Sequence, residues 1–296
     1  MRCITILLRC RENRPSSRRI VDSRVELSTS LGTNPSSDRT PPGRWRRSVF
    51  ALVLLLVAPI ARAELTLYAG VEYFDWREST SPSVQETGPL ALGGLIWMQN
   101  QERGLLLGYR GEIYAGSVNY NGATFAGAPL QSTTDYLGIL NEGQVRFRIP
   151  AWPTEHVDVM LSVGADLWRR ELSSDQKEDW AVFYARFGVE LGPSPGKAGW
   201  IGSAGVKYPF YVYENAHLTD IGFDQNPTLN PGGSWSGYAS FGYRFGGHWS
   251  VVGFYDSYRF QQSPSVQVSV DGVPVGSVFQ PKSSLDVVGV TVLYTF

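Results

Sequence analysis

Hydrophobic and polar residues alternate with a period of two along most of the chain from residue 64 onward. In the stretch 157–170, the odd positions from Val157 to Leu167 are apolar, whereas the even positions include Asp158, Asp166 and Arg170. Successive side chains of a β-strand point to opposite faces, so this period predicts strands with one apolar and one charged face. No stretch after residue 63 has the period of a long amphipathic helix.

The alternation predicts ten strands, each about as long as a barrel strand. They cover residues 64–78, 88–99, 103–117, 134–149, 156–170, 178–192, 199–214, 234–246, 247–261 and 282–296. Connections after the even strands are short, and those after the odd strands are longer and polar, such as 118–134 and 215–233. A membrane barrel needs tight turns at one end and longer loops at the other. We therefore predict an all-β fold, a transmembrane antiparallel up-and-down β-barrel of about ten strands (eight to twelve are possible) with both termini periplasmic.

Tryptophan placement distinguishes this barrel from a soluble periplasmic β-sandwich, which also alternates and remains the alternative. The eight tryptophans after residue 63 lie near the ends of the predicted strands, where an indole suits a membrane interface. Four are beside short turns and four beside long loops, which predicts two interface rings. The first ring comprises Trp97, Trp152, Trp200 and Trp249, and the second Trp76, Trp168, Trp180 and Trp235.

The N-terminal region differs in composition and predicts export. Residues 1–63 contain 12 Lys+Arg and 4 Asp+Glu, whereas 64–296 contain 14 and 23, so a basic leader precedes an acidic body. Residues 44–63 combine Arg44, Arg46 and Arg47 with an apolar run at 48–60 and small residues before Glu64, which predicts a signal peptide cleaved after Ala63. Residues 1–43 are predicted to be a disordered extension, or the result of a misplaced translation start. Residues 64–296 form the predicted barrel domain.

Cysteine usage limits the chemistry of the exported chain. Cys3 and Cys10 both fall in the leader, so residues 64–296 can form neither a disulfide nor a thiolate metal site. No phosphate-binding glycine loop, zinc-type spacing or basic nucleic-acid patch is present. We expect no cofactor, no metal and no nucleic acid partner.

The chain ends within a predicted strand, on an aromatic residue. Val288, Val290, Val292, Tyr294 and Phe296 occupy alternate positions of the last nine residues. This pattern resembles the C-terminal signature of the bacterial outer-membrane β-barrel superfamily. The resemblance implies that the last strand closes the sheet on the first and is read by the outer-membrane barrel assembly machinery. It also implies the outer membrane of a Gram-negative bacterium as the location, with outer-membrane lipid and lipopolysaccharide as neighbours.

The inward faces of the predicted strands carry charges of both signs, and a ten-stranded barrel is narrow. Opposite charges in a confined interior neutralise one another, which predicts a lumen mostly plugged by ion pairs. The predicted lumen charge network comprises Glu72, Arg110, Glu112, Glu142, Arg146, Arg148, Asp158, Asp166, Arg186, Glu190, Lys207 and Arg244.

Three functions remain open for such a barrel. A structural or surface-binding role through polar outer loops is the leading hypothesis, and a narrow channel is the first alternative. An envelope enzyme, an omptin-like protease or a lipid-modifying hydrolase, is the second, although no omptin-type paired acidic motif is present. His156 and His248 adjoin short turns, so the one candidate catalytic histidine is His217, with Glu214, Asp220 and Asp224 nearby in sequence. "VDGV" (270–273) predicts a type I′ hairpin in the last outer loop.

Overall fold

The computed structural model describes residues 63–123, 128–152, 155–173, 176–194, 196–246 and 248–296. The predicted extension and nearly all of the predicted signal peptide lie outside the described residues. Among the described residues, no helix has the length and apolar character needed to cross a bilayer.

Ten long strands close into one antiparallel barrel. The barrel strands are β1 (Ala63–Glu78), β2 (Val84–Gln99), β3 (Gly104–Ala123), β4 (Pro129–Trp152), β5 (Glu155–Ser173), β6 (Gln176–Pro193), β7 (Gly199–Ala216), β10 (Ser236–Arg244), β11 (Trp249–Phe260) and β14 (Ser283–Thr295). Four short strands lie in two connections: β8 (Thr228–Leu229), β9 (Gly233–Ser234), β12 (Val266–Val270) and β13 (Val273–Val278). The predicted fold class and strand number are confirmed.

Pairing between the first and last strands closes the sheet. β1 pairs with β14 from Thr66 opposite Thr295 to Glu78 opposite Ser283. β7 pairs with β10, which completes the ring. Both ends of the barrel chain therefore lie at one end of the barrel, which we call the terminal end, and the opposite end is the distal end. Closure pairs the backbone groups that an open sheet would leave exposed at its edges.

The barrel is apolar outside and charged inside. Large apolar side chains on the outer face are exposed by 37 % to 64 % along the middle of the wall: Leu95, Ile113, Leu137, Val163, Phe187 and Val290. The alternate positions of the same strands carry buried charges, such as Glu142, Asp158 and Lys207. A soluble β-sandwich buries its apolar face, so this distribution is that of a sheet surrounded by hydrocarbon.

The strands extend beyond the apolar band at the distal end. β4 has 24 residues, about twice what a tilted strand needs to cross a bilayer. Going toward the distal end, the outward face becomes polar at a ring of residues that includes Asp75, Ser117, Asp135, Arg169, Asp179 and Asp286. Hydrogen bonds join neighbours in this ring, as between Ser117 and Asp135 and between Arg169 and Asp179. The ring marks the edge of the lipid, and the strands continue past it into water.

This extension corrects the predicted loop at 118–134. β3 continues to Ala123 and β4 starts at Pro129, with Val118 and Tyr120 buried inside and Asn119 and Asn121 exposed outside. Polar outward residues indicated a loop in the sequence, but beyond the lipid a strand can be polar on its outer face. The connections 79–83, 124–128 and 174–175 are consequently short, and only 217–235 and 261–282 are long.

The hairpin predicted at "VDGV" is confirmed. β12 and β13 pair as a separate two-stranded sheet, and Asp271 and Gly272 between them have φ values of 51° and 74°. A type I′ turn requires positive φ at both central residues.

We expect an arginine on the apolar band to destabilise the barrel according to its depth. Val163→Arg places a guanidinium at an outward position in mid-wall, and should lower the free energy of unfolding by about 2–4 kcal/mol. Thr133→Arg, outward but beyond the polar ring, should change it by less than about 1 kcal/mol. Urea unfolding in lipid vesicles, followed by tryptophan fluorescence, measures both. Equal effects would contradict the assignment of the lipid boundary.

Candidate functional site

Oppositely charged side chains form ion pairs inside the barrel, within one strand, between adjacent strands and between strands further apart. The structure places all twelve residues of the predicted lumen charge network on the inner face. The pairs and their nitrogen–oxygen distances are Arg110–Glu112 (2.7 Å), Arg146–Glu190 (2.5 Å), Arg148–Asp158 (2.8 Å) and Arg186–Glu142 (3.1 Å). Lys207 pairs at 2.5 Å with Asp256, which also lies on the inner face. These pairs offset part of the cost of burying each charge.

A second charged cluster lies toward the distal end and centres on Arg170. Its guanidinium lies 2.6 Å from Glu86, 2.9 Å from Glu178 and 3.7 Å from Glu78, and all four side chains are buried. Glu214, also fully buried, acts electrostatically on Glu178 and has no hydrogen bond to either carboxylate oxygen among the described residues. One cation thus holds together acids from three other strands.

Aromatic rings fill the lumen around this cluster. Trp168 and Trp180 stack with ring centroids 5.4 Å apart, and Trp76 meets Trp180 edge to face at 5.2 Å. Phe260 lies 5.8 Å from both Trp76 and Trp180. Trp76 also donates an indole N–H hydrogen bond to Glu78 at 2.9 Å. We call these four rings, together with Arg170 and its carboxylates, the distal seal.

The distal seal corrects the predicted outer tryptophan ring. Trp76, Trp168 and Trp180 are at most 5 % exposed and point into the lumen, because they have the same parity as the inward charges on their strands. Trp235 is 67 % exposed and does face outward. At the terminal end, Trp200 and Trp249 are more than half exposed, and Trp97 lies between the inward residues Ile96 and Met98. The side chain of Trp152 lies outside the described residues.

The terminal half of the lumen contains a cavity of about 300 Å³. Its lining extends from Thr66, Met98 and Thr295 near the terminal end to Phe74 and Tyr258 below the distal seal. Tyrosines on its wall sit above inward glycines. A Cβ atom at Gly188 would clash with the hydroxyl of Tyr238, so the absence of a side chain there makes room for the ring. Arg186 stacks on the same ring at 3.7 Å.

The predicted catalytic cluster around His217 does not assemble. His217 Nε2 lies 2.8 Å from Asp179, which also accepts a 2.7 Å bond from Arg169 on the outer wall. Glu214 points into the distal seal instead, because it alternates with the outward Asn215 on β7. Asp220 lies in a short 3₁₀ helix (Leu218–Ile221) with no bond to His217 through its side chain. Proximity in the sequence therefore did not predict which way the side chains of Glu214 and Asp220 point relative to His217.

Asp224 fastens the β12–β13 hairpin to the other long loop. Its carboxylate accepts bonds from the Ser269 hydroxyl (2.6 Å) and from the backbone N–H groups of Asp271 and Gly272 (both 2.9 Å). These bonds favour the ionised form, so the pKa of Asp224 is lowered. Beneath them, six buried apolar residues join the two loops: Ala216, Leu218, Ile221, Leu229, Val268 and Val278. We call this assembly the loop platform.

A cationic groove of about 650 Å³ lies on the distal rim beside β1 and β14. Arg77 and Arg259 flank Ser284 at the same register from either side, and Lys282 lies just before it. Arg77 bonds to Asp75, and Arg259 bonds to Asp286 at 2.7 Å. Lys282 forms no ion pair with any described residue. The groove adjoins the polar ring that marks the lipid edge.

The last strand has the predicted two-sided character. Val288, Val290 and Val292 are 44 % to 58 % exposed on the outer face. Tyr294 packs edge to face against Trp249 and Phe296, with ring centroids 4.9 Å apart in each case. The Phe296 N–H donates to the carbonyl of Leu65, so the final residue is still paired with β1.

Comparison with known proteins gives no family and only distant structural matches. No protein-family model and no curated protein matches the chain. Among solved structures, the outer membrane protease OmpT from Escherichia coli aligns with a TM-score of 0.47 and 11 % identity, covering 79 % of this chain and 96 % of that one. The translocator domain of autotransporter NalP from Neisseria meningitidis aligns at 0.33 and 8 %, covering 84 % and 94 %. The Pseudomonas putida toluene transporter TodX aligns at 0.30 and 10 %, covering 79 % and 90 %.

These features together define an outer-membrane-type β-barrel: a closed antiparallel wall, an apolar outer band and a charged interior. The fold is assigned from these features of the chain itself, because function cannot be transferred from a distant structural match. Among the described residues, no group of three or more His, Cys, Asp or Glu side chains is arranged to hold a metal ion.

We expect Arg170 to be indispensable to the distal seal. Arg170→Leu leaves several buried carboxylates without their shared cation, and should lower the free energy of unfolding by about 3–5 kcal/mol. Arg169→Leu is the matched control, since the adjacent arginine faces outward and its pair with Asp179 is solvent-exposed. That change should cost less than about 1 kcal/mol. Urea unfolding of the two variants in the same detergent gives the comparison, and similar losses would exclude a central role for Arg170.

Proposed function

We propose that the protein is an integral outer-membrane barrel with a closed lumen, and that it acts as a structural or surface-binding element through its loop platform. The proposal includes export by cleavage after Ala63 and recognition of the last strand by the barrel assembly machinery. The distal seal is the observation that carries it. Three tryptophans in mutual contact and a buried guanidinium occupy the part of the lumen that a solute would have to cross.

The loop platform supports a surface-binding role because it is folded rather than loose. Its two loops share an apolar core and are fastened by the three hydrogen bonds to Asp224. Val273 is 62 % exposed and Val275 39 % exposed beside the hairpin tip, which gives the platform an apolar edge amid polar residues. A pre-ordered surface loses less conformational entropy when it binds a partner than a loose loop does.

A narrow channel is the second candidate function, favoured by the cavity. The cavity already occupies the terminal half of the lumen, and the distal seal lies between it and the distal end. Conductance would therefore require the seal to open.

We expect the wild-type protein to give no steady single-channel steps in planar bilayers at neutral pH. Trp76→Ala combined with Trp180→Ala removes two rings of the seal and should produce measurable conductance. Trp200→Ala combined with Trp249→Ala, two outward tryptophans at the terminal end, is the matched control and should stay silent. Steady steps from the folded wild type would establish the channel instead.

The cationic groove is our proposed contact with lipopolysaccharide. Arg77, Arg259 and Lys282 lie where the outer face passes from apolar to polar, the level at which phosphorylated headgroups meet the wall. Guanidinium groups bind phosphate through charge-assisted hydrogen bonds, and an ammonium group binds it as a point charge. Lys282, with no carboxylate partner among the described residues, is the cation most available for this contact.

We expect lipopolysaccharide to raise the thermal unfolding midpoint of the detergent-solubilised barrel through this groove, because a ligand that binds only the folded state stabilises it. Arg77→Gln combined with Lys282→Gln should abolish most of the increase. Arg103→Gln combined with Lys197→Gln, which removes two exposed cations from terminal-end turns, should preserve it. Dephosphorylated lipid A should give no increase with any form. An unchanged increase in the groove variant would refute the contact.

A further inference from the structure

The cavity in the terminal half of the lumen has a blind inner end. The distal seal closes it on one side, whereas its lining reaches the terminal rim at Thr295 and Pro193 on the other. Phe74, Tyr114 and Phe254 contribute aromatic rings to the lining. A concave pocket with aromatic walls and a small number of converging polar groups is the usual form of a small-molecule site.

Glu72 lines this cavity and has no partner. Its side chain is 8 % exposed, and it forms neither a hydrogen bond nor an ion pair with any described residue. The other cavity-lining acids all have one. Their partners are Asn100 for Glu64, Arg110 for Glu112, Tyr114 and Tyr258 for Asp166, Arg146 for Glu190 and Lys207 for Asp256.

The cation nearby is shared with other groups and forms no ion pair with Glu72. Arg110, the nearby arginine, is already committed: its guanidinium lies 2.7 Å from Glu112 and bonds to the Tyr68 hydroxyl at 3.2 Å. Glu112 and Asp166 add further negative charge around Glu72. A buried carboxylate in such a place is costly unless a cation or a proton compensates it.

Aromatic rings around Glu72 favour an organic cation over a metal ion. Cations already lie on rings elsewhere in this lumen, with Lys207 Nζ 3.4 Å from the centroid of Tyr258 and Arg110 5.9 Å from that of Tyr68. Phe74 and Phe254 carry no such cation, and the face of an aromatic ring attracts one. A hard metal ion requires a shell of oxygen ligands, and no group of three or more His, Cys, Asp or Glu side chains among the described residues is arranged to hold one.

We propose that this cavity binds a small organic ammonium ion entering from the terminal end. Glu72 is its counter-ion, and Phe74 and Phe254 supply ring contacts. The site depends on the cavity and not on the loop platform or the cationic groove, so it goes beyond the proposed function. It gives a barrel closed at its distal end a binding site that opens toward the opposite side.

Isothermal titration calorimetry on the full barrel in neutral detergent tests this directly, with phenyltrimethylammonium as the probe. Its uncharged carbon isostere, tert-butylbenzene, measures apolar uptake alone, and empty micelles give the background. The wild type should bind the ammonium compound at least tenfold more tightly than the isostere. Equal affinity for the two, or no binding above the micelle background, would overturn the proposal.

Substitutions at Glu72 identify the counter-ion. Glu72→Gln keeps the shape but not the charge, and should weaken ammonium binding at least tenfold, whereas Glu72→Asp should retain most of it. Glu64→Gln, a cavity-lining acid already bonded to Asn100, should leave affinity within threefold. The gel mobility of unboiled samples verifies that each variant is folded. Wild-type affinity in Glu72→Gln would refute the role of Glu72, whatever the bilayer recordings show.

Discussion

The pairing of β1 with β14 is the constraint on which the rest of the structure depends. In hydrocarbon an unpaired backbone N–H or C=O has no water to satisfy it, so a spanning sheet must close. Closure separates an inside from an outside, and each strand then sends alternate side chains to two very different solvents. The apolar valines of β14 face lipid, and the same closure confines charges such as Glu142 and Arg186 to a narrow lumen where they must neutralise one another.

The buried charges of the lumen are neutralised in two different ways along the barrel axis. In the terminal half, pairs such as Arg148–Asp158 lie around a cavity that remains partly open. Toward the distal end, Arg170 gathers Glu86, Glu178 and Glu78 within a packed set of aromatic rings. The rings exclude water, which strengthens the attraction of Arg170 for its acids and raises the cost of losing it. The closed end therefore depends on charge and packing together.

The alternation of apolar and polar residues at odd and even positions of each strand was the source of most correct predictions. It located the ten strands and assigned the inward side of residues such as Lys207 and Arg244. Parity also places Trp168 on the charged side of β5. The preference of tryptophan for membrane interfaces predicted the opposite, and that prediction was wrong for Trp76, Trp168 and Trp180. The strand extensions were missed because polar outward residues resemble loop residues once the lipid ends.

Contacts across the lumen could not be read from the sequence. Arg170 and Glu178 are opposite one another on adjacent strands, and local pairing suggests that contact. Glu86 is 84 residues away, and its approach to Arg170 depends on the tilt and stagger of the whole barrel. The Tyr258–Asp166 hydrogen bond likewise depends on the geometry of the whole barrel. The lack of a partner for Glu72 could not be predicted either, because it depends on the positions of all its neighbours.

The aromatic rings and Arg170 of the distal seal come from the wall itself, and the connection 261–282 meets the seal through Gln280, whose amide donates to Glu78 at 3.3 Å. A plug formed by a loop can move out of the lumen as a unit, whereas Trp76, Trp168 and Trp180 belong to hydrogen-bonded strands of the wall. Displacing them would require rotamer changes in several crowded rings or distortion of the sheet. Opening the barrel at this level would therefore require the wall itself to deform, and not only the displacement of a hinged segment.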